Sequence, residues 1–142
     1  MRKNKFEELY TKVEEARKLY KAGEQEKARL DYGKVEETLK EQENSFKKVW
    51  AMYDKSKENQ NQYIDFNDVI WDNEVEDIIK TLRENGIEKF TFSSTWSNAV
   101  KTAWLFQENG CTLESLIQIN DGFKDFKTGE KTRIPAYLFK VN

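Results

Sequence analysis

The chain has 142 residues, 35% of them charged and 13% aromatic, with a net charge of −2 and no histidine. That length fits one compact domain or a small domain with an appendage, and the aromatic content is too high for a disordered chain. Without histidine, Ser-His-Asp and Cys-His nucleophiles, histidine bases and histidine zinc sites are excluded. The single cysteine, Cys111, excludes an internal disulfide and thiolate clusters.

The start of the chain, Met1-Arg2-Lys3-Asn4-Lys5, is basic but leads into a charged amphipathic segment instead of an apolar signal stretch. No apolar run approaches the ~20 residues that span a bilayer. With a lone cysteine, this predicts a cytoplasmic protein with no membrane segment. Residues 1–60 hold 15 basic and 13 acidic side chains, and residues 61–142 hold 9 and 13. Neither balance is the basic footprint of a nucleic-acid binder, which argues against direct nucleic-acid binding.

Phe6, Leu9, Val13, Ala16 and Tyr20 are spaced 3-4-3-4, the seam of an amphipathic helix, and Gly23 supplies its stop. A second seam runs through Ala28, Tyr32, Val35, Leu39, Gln42, Phe46, Val49 and Tyr53. Two such helices joined by a short glycine turn make an antiparallel, coiled-coil-like hairpin over residues 1–58. A two-helix hairpin alone buries too little to be stable, so it must rest on the rest of the chain, on a second copy as a homodimer, or on another partner.

Lys55–Gln62 has no apolar residue and reads as a helix end and linker, placing a second domain at 63–142. There Tyr63–Phe66 suggests a short strand. Glu74–Asn85 is a helix with Val75, Ile78, Ile79 and Leu82 inward and Gly86 as its stop. Ile87–Ser93 is a strand. Ser97–Asn109 is a helix with Val100, Ala103 and Trp104 inward, closed by Gly110. Leu116–Asn120 and Arg133–Val141 are strands, and Asp121–Lys131 a loop. Pro135 makes the last strand an edge, or delays its start. Strand 87–93, helix 97–109 and strand 116–120 form a right-handed βαβ unit, with the last strand added antiparallel. The fold class is α+β: a helical hairpin, then a small α/β domain with a mixed three- to four-stranded sheet.

Two stretches are candidates for binding. Ser93-Ser94-Thr95-Trp96-Ser97-Asn98 lies where a strand hands over to a helix, so free N–H groups and hydroxyls could hold a phosphate or carboxylate beside a tryptophan. The same residues are also ordinary N-caps, and no P-loop or dinucleotide fingerprint is present. Asp65, Asp68, Asp72, Glu74, Glu76 and Asp77 form an acidic run. It fits no EF-hand loop and suits either a solvated helix start or docking of a basic partner. Trp71 lies within it, and Trp71 and Trp96, in polar surroundings, are candidates for exposed interface anchors. Cys111 reads as a small buried residue.

The words Phe90-Thr-Phe-Ser-Ser-Thr-Trp-Ser, Trp104-Leu-Phe-Gln, Gly110-Cys111 and Ile134-Pro-Ala-Tyr-Leu-Phe-Lys-Val are similar to a family of small uncharacterised proteins from low-GC Gram-positive bacteria, their phages and mobile elements. The likeness runs from about Phe90 to Asn142, carries no known activity and assigns no functional residue. It implies a protein that binds and blocks a host factor, such as a component of bacterial immunity. The leading expectation is therefore a non-enzymatic protein-interaction module without a cofactor or metal. Its contact surface would involve Asp65, Asp68, Trp71, Asp72 and Glu76. The alternative is a nucleotide or phosphorylated-metabolite binder using Ser93–Asn98.

Overall fold

The computed structural model describes residues 4–142. Helix α1 (Lys5–Lys21) starts where the Asn4 side chain accepts from the Phe6 and Glu7 N–H groups, an N-cap that satisfies two otherwise orphaned donors. Gly23, at φ 84°, reverses the chain into α2 (Gln25–Lys40), which packs back along α1. The α1–α2 pair is the predicted hairpin, but the second seam does not run on as one helix. It breaks at Glu41-Gln42-Glu43, and α3 (Asn44–Glu58) begins a new direction. The break falls at the seam's one polar member, Gln42, where two flanking glutamates add nothing to a buried stripe.

Helix α1 packs on α3 within the same chain. The Phe6 ring stacks on Phe46 at 4.6 Å and on Tyr53 at 5.6 Å between centroids. Farther along, Arg17 pairs with Glu58 at 2.8 Å and lies 3.6 Å from Asp54.

After α3 come β1 (Ile64–Phe66), a 3-10 turn (Asp72–Glu74), α4 (Val75–Glu84), β2 (Lys89–Phe92), α5 (Ala99–Glu108), β3 (Cys111–Lys124) and β4 (Lys131–Val141). The sheet order is β1-β2-β4-β3, with β1 parallel to β2 and β4 antiparallel to both its neighbours. The fold is α+β with a mixed four-stranded sheet. β2 and β3 are parallel through α5, as predicted for a βαβ unit, but β4 is inserted between them. A second β-helix-β unit, β1-α4-β2, joins adjacent parallel strands.

Pro135 therefore lies inside a central strand, contrary to the edge expected for it. Val141, two-residue periods along, donates its N–H to Glu88 beside β2, so odd residues of β4 point their backbone groups that way. β2 ends where Phe92 meets Tyr137. The N–H that Pro135 lacks would face a side with no strand to serve.

The residues expected to form the loop 121–131 extend the β3–β4 hairpin instead, leaving a turn at Asp125–Glu130. The sheet curls enough for the chain before β1 to reach the outer edge of β3. There the Asn61 side chain exchanges two 2.9 Å bonds with the N–H and C=O of Asn120, and Asn120 Nδ2 donates to the Asn59 carbonyl. This side-chain pairing substitutes for a missing strand and covers part of an edge that would otherwise invite another chain.

One core joins the layers. Phe66, Phe90, Phe92 and Phe139 on one sheet face meet Phe106 of α5, with Val75, Ile78, Ile79 and Leu82 of α4 and the α1–α3 aromatics beside them. The buried face of α5 is Thr102 and Phe106, not the predicted Val100 and Trp104, which are 80% and 55% exposed. Thr102 can be fully buried because its Oγ1 donates to the Ile70 carbonyl at 3.2 Å.

Candidate functional site

The acidic run does not form a single patch. Asp65 sits on β1 facing inward, 8% exposed. Its oxygens accept from Thr91 Oγ1 at 2.8 Å and Ser93 Oγ at 2.6 Å. Burial raises its pKa, partly offset by those two hydroxyls and by the charge of Lys55. Asp68 is exposed and accepts from the Val69 N–H. Asp72 is exposed and pairs with Lys101 of α5 at 2.6 Å. Glu76 faces solvent on the first turn of α4. Glu74 accepts from the Trp71 N–H at 2.9 Å and pairs with Lys48 at 3.0 Å, which tethers the 3-10 turn to α3.

Trp71 is 61% exposed at one end of a groove between α4 and the start of α3. That end, about 360 Å³, is lined by Asn44, Ser45, Trp71, Asn73, Glu74 and Asp77. Ser45 and Asp77 also line an adjoining cleft of about 340 Å³ that runs on toward the α2–α3 turn. Its charged lining is Glu41, Glu43, Asp77 and Glu84 against Lys5 and Lys80. The break in the second helical seam thus brings two glutamates across from two acids of α4. Nothing local in the sequence links residues 41–43 to 77–84. The pairing depends on how α3 packs against α4.

The Ser93–Asn98 segment leads into α5, as expected, but several of its polar groups have internal partners. Ser93 Oγ is bonded to Asp65, and Asn98 Nδ2 donates to the Ile70 carbonyl at 3.0 Å. Ser94 Oγ accepts from the Trp96 N–H, and Trp96 is 57% exposed. Thr95 and Ser97 lie on the same turn. The structure therefore ties the two candidate stretches together, through Ser93 to Asp65 and Phe66 and through Asn98 to Ile70. Cys111 is buried, its thiol pushed up to about 11 by burial against a small opposing effect of Arg83, far from a thiolate nucleophile. Among the described residues no group of three or more Cys, Asp or Glu is placed to hold a metal ion, and no helix is long and apolar enough to cross a membrane.

A family model described as a domain of unknown function, DUF7698, matches residues 48–141. The chain belongs to the DUF7698 family. The match opens inside α3 and closes at the end of β4, so the DUF7698 region contains the α4 wall of the groove, Trp71 and the whole sheet. Glu41 and Glu43 come from the segment before it. No curated protein and no solved structure matches the chain.

Proposed function

We propose that this DUF7698 protein is a non-enzymatic protein-interaction module that seats a basic segment of its partner in the groove between α4 and the α2–α3 turn. The observation that carries this reading is Trp71, mostly exposed at the end of a cleft with four acids against two lysines. An aromatic anchor beside a charged rim is the usual anatomy of a contact hot spot. The acids supply complementary steering for Lys and Arg, with a strong dependence on salt. The absence of histidine and the burial of Cys111 add support, because they remove histidine bases and a ready thiolate nucleophile.

The finer reading is of a phage or mobile-element protein that works in the cytoplasm and inhibits a host factor, such as an immune component. It rests on the sequence resemblance alone. The ligand-binding alternative at Ser93–Asn98 is less well supported, since Ser93 and Asn98 are engaged within the fold.

The test is quantitative capture from host extract with the native chain and with the double variant Trp71→Ala/Asp77→Lys. Both positions are exposed, so folding should persist. A partner held by the native chain, released by moderate salt and lost in the variant, is the expected result. A partner retained equally by both would overturn the assignment of the groove.

A further inference from the structure

A cleft of about 150 Å³ lies where the first turn of α1 meets α3, β1 and the start of β2. Tyr53 of α3 forms part of its wall. That residue is only 6% exposed, with its ring stacked on Phe6 and Trp50, yet its hydroxyl has no hydrogen-bond partner among the described residues. A hydroxyl on so buried a residue normally has one, and the cleft is the space in which a partner can sit. Burial first, and then the charge of Glu7, pushes Tyr53 up to about 12, so the hydroxyl stays protonated and can donate.

The charges around Tyr53 have opposite signs. Lys57 Nζ lies 5.4 Å from the centre of its ring, and Glu7 stands at the mouth of the cleft from the α1 side. Neither forms an ion pair, with the other or elsewhere, among the described residues. Lys89 also lines the cleft, but it is paired with Glu114 at 2.9 Å. One acid and one base are thus left facing the space. A simple anion there would meet Glu7, and a simple cation would meet Lys57. Only a ligand carrying both signs answers both. Ile64 and Ile87 supply an apolar wall. A volume of about 150 Å³ is that of a cavity that takes a benzene ring, which suits a leucine-sized side chain and is too small for a nucleotide.

We propose that this cleft binds a free α-amino acid with an apolar side chain. The ammonium would sit at Glu7, the carboxylate at Lys57 and the Tyr53 hydroxyl, and the side chain against Ile64 and Ile87. The cleft shares no lining residue with the acidic groove, and the assignment does not rest on that groove.

Calorimetric titration of the full chain with L-leucine tests the assignment. Isocaproate, which is leucine without its ammonium, and isoamylamine, which is leucine without its carboxylate, serve as controls. Leucine should bind saturably at one site, and each truncated compound several-fold more weakly. Tyr53→Phe keeps the stacked ring and removes only the hydroxyl, and should weaken leucine by about three- to tenfold. Glu7→Gln and Lys57→Gln should each weaken it by about two- to fivefold. Both positions are exposed, so these two variants carry the test even where Tyr53→Phe lowers stability. No saturable binding of leucine overturns the proposal, since water alone then meets Tyr53. So does leucine bound no better than isocaproate, or binding that all three substitutions leave unchanged.

Discussion

Replacing Asp65 separates the value of its hydrogen bonds from the cost of its charge. In Asp65→Ala, Thr91 Oγ1 can turn to the Ile64 carbonyl, which already lies 3.4 Å away, but Ser93 Oγ loses its acceptor at 2.6 Å. Ser93 is only partly buried, so the loss should fall at the low end of the about 1–3 kcal/mol that an unpaired buried polar group costs, and each kcal/mol should lower the melting temperature by about 3 °C in a chain of this size. Asp65→Asn keeps an acceptor, and because hydroxyls both donate and accept, the second contact can reverse its direction. It also removes a desolvated charge, so at pH 7 it should match or exceed the native chain. The pH dependence has a definite sign. Burial raises the Asp65 carboxyl in the folded state, so the unfolded chain loses this proton first as pH rises, and stability falls across the interval between the two pKa values. The native chain should therefore gain on Asp65→Asn as pH drops from 7 toward 4. Asp54, whose carboxyl is also raised by burial, is common to both and cancels in the difference. Urea denaturation of the three proteins at pH 7 and pH 4.5 reads these quantities. If Asp65→Asn is as unstable as Asp65→Ala at pH 7, the charge itself is stabilising, through Lys55, and the reasoning fails.

Four further outcomes follow from the packing. Phe6→Ala removes a fully buried ring stacked on Phe46 and Tyr53 and should cost about 3–5 kcal/mol by denaturant titration; a loss below 1 kcal/mol would mean that α1 does not dock on α3. Gly122→Ala places a side chain at φ 92° and a Cβ 2.9 Å from Asn59 Oδ1, so about 1–2 kcal/mol should be lost. Asn61→Ala should weaken the same junction, seen as faster amide exchange at Asn120. Cys111 should react with a disulfide reagent at pH 8 only as fast as the protein unfolds, and rapid native-state labelling would contradict its burial.

Local signals in the sequence located most of the elements. Gly23, Gly86 and Gly110, read as helix stops, all have positive φ, because only glycine reverses a helix end there without strain. The α4 face was legible because Val75, Ile78, Ile79 and Leu82 leave no rival stripe. In α5 two stripes compete, and ranking by hydrophobicity chose Val100 and Trp104. Tertiary context favoured Thr102 and Phe106 instead, since Ile70 offers Thr102 a carbonyl. β3 is longer than its apolar stretch suggests because much of it faces solvent. Within the candidate groove, Trp71, Glu74 and Asp77 belong to the stretch singled out in the sequence, whereas Glu41, Glu43 and Glu84 join them only through packing, and Asp65, Asp68, Asp72 and Glu76 are not among its lining residues. Asp65 looked like its acidic neighbours, yet it points inward because β1 turns that position toward Thr91.

The most direct test of the central claim is amide hydrogen exchange on the native chain with and without its captured partner. Binding in the acidic groove predicts protection confined to residues 41–45 and 71–85, weakening as salt is raised. Protection of the α1–α2 hairpin or of residues 93–98, with the groove unchanged, would contradict it.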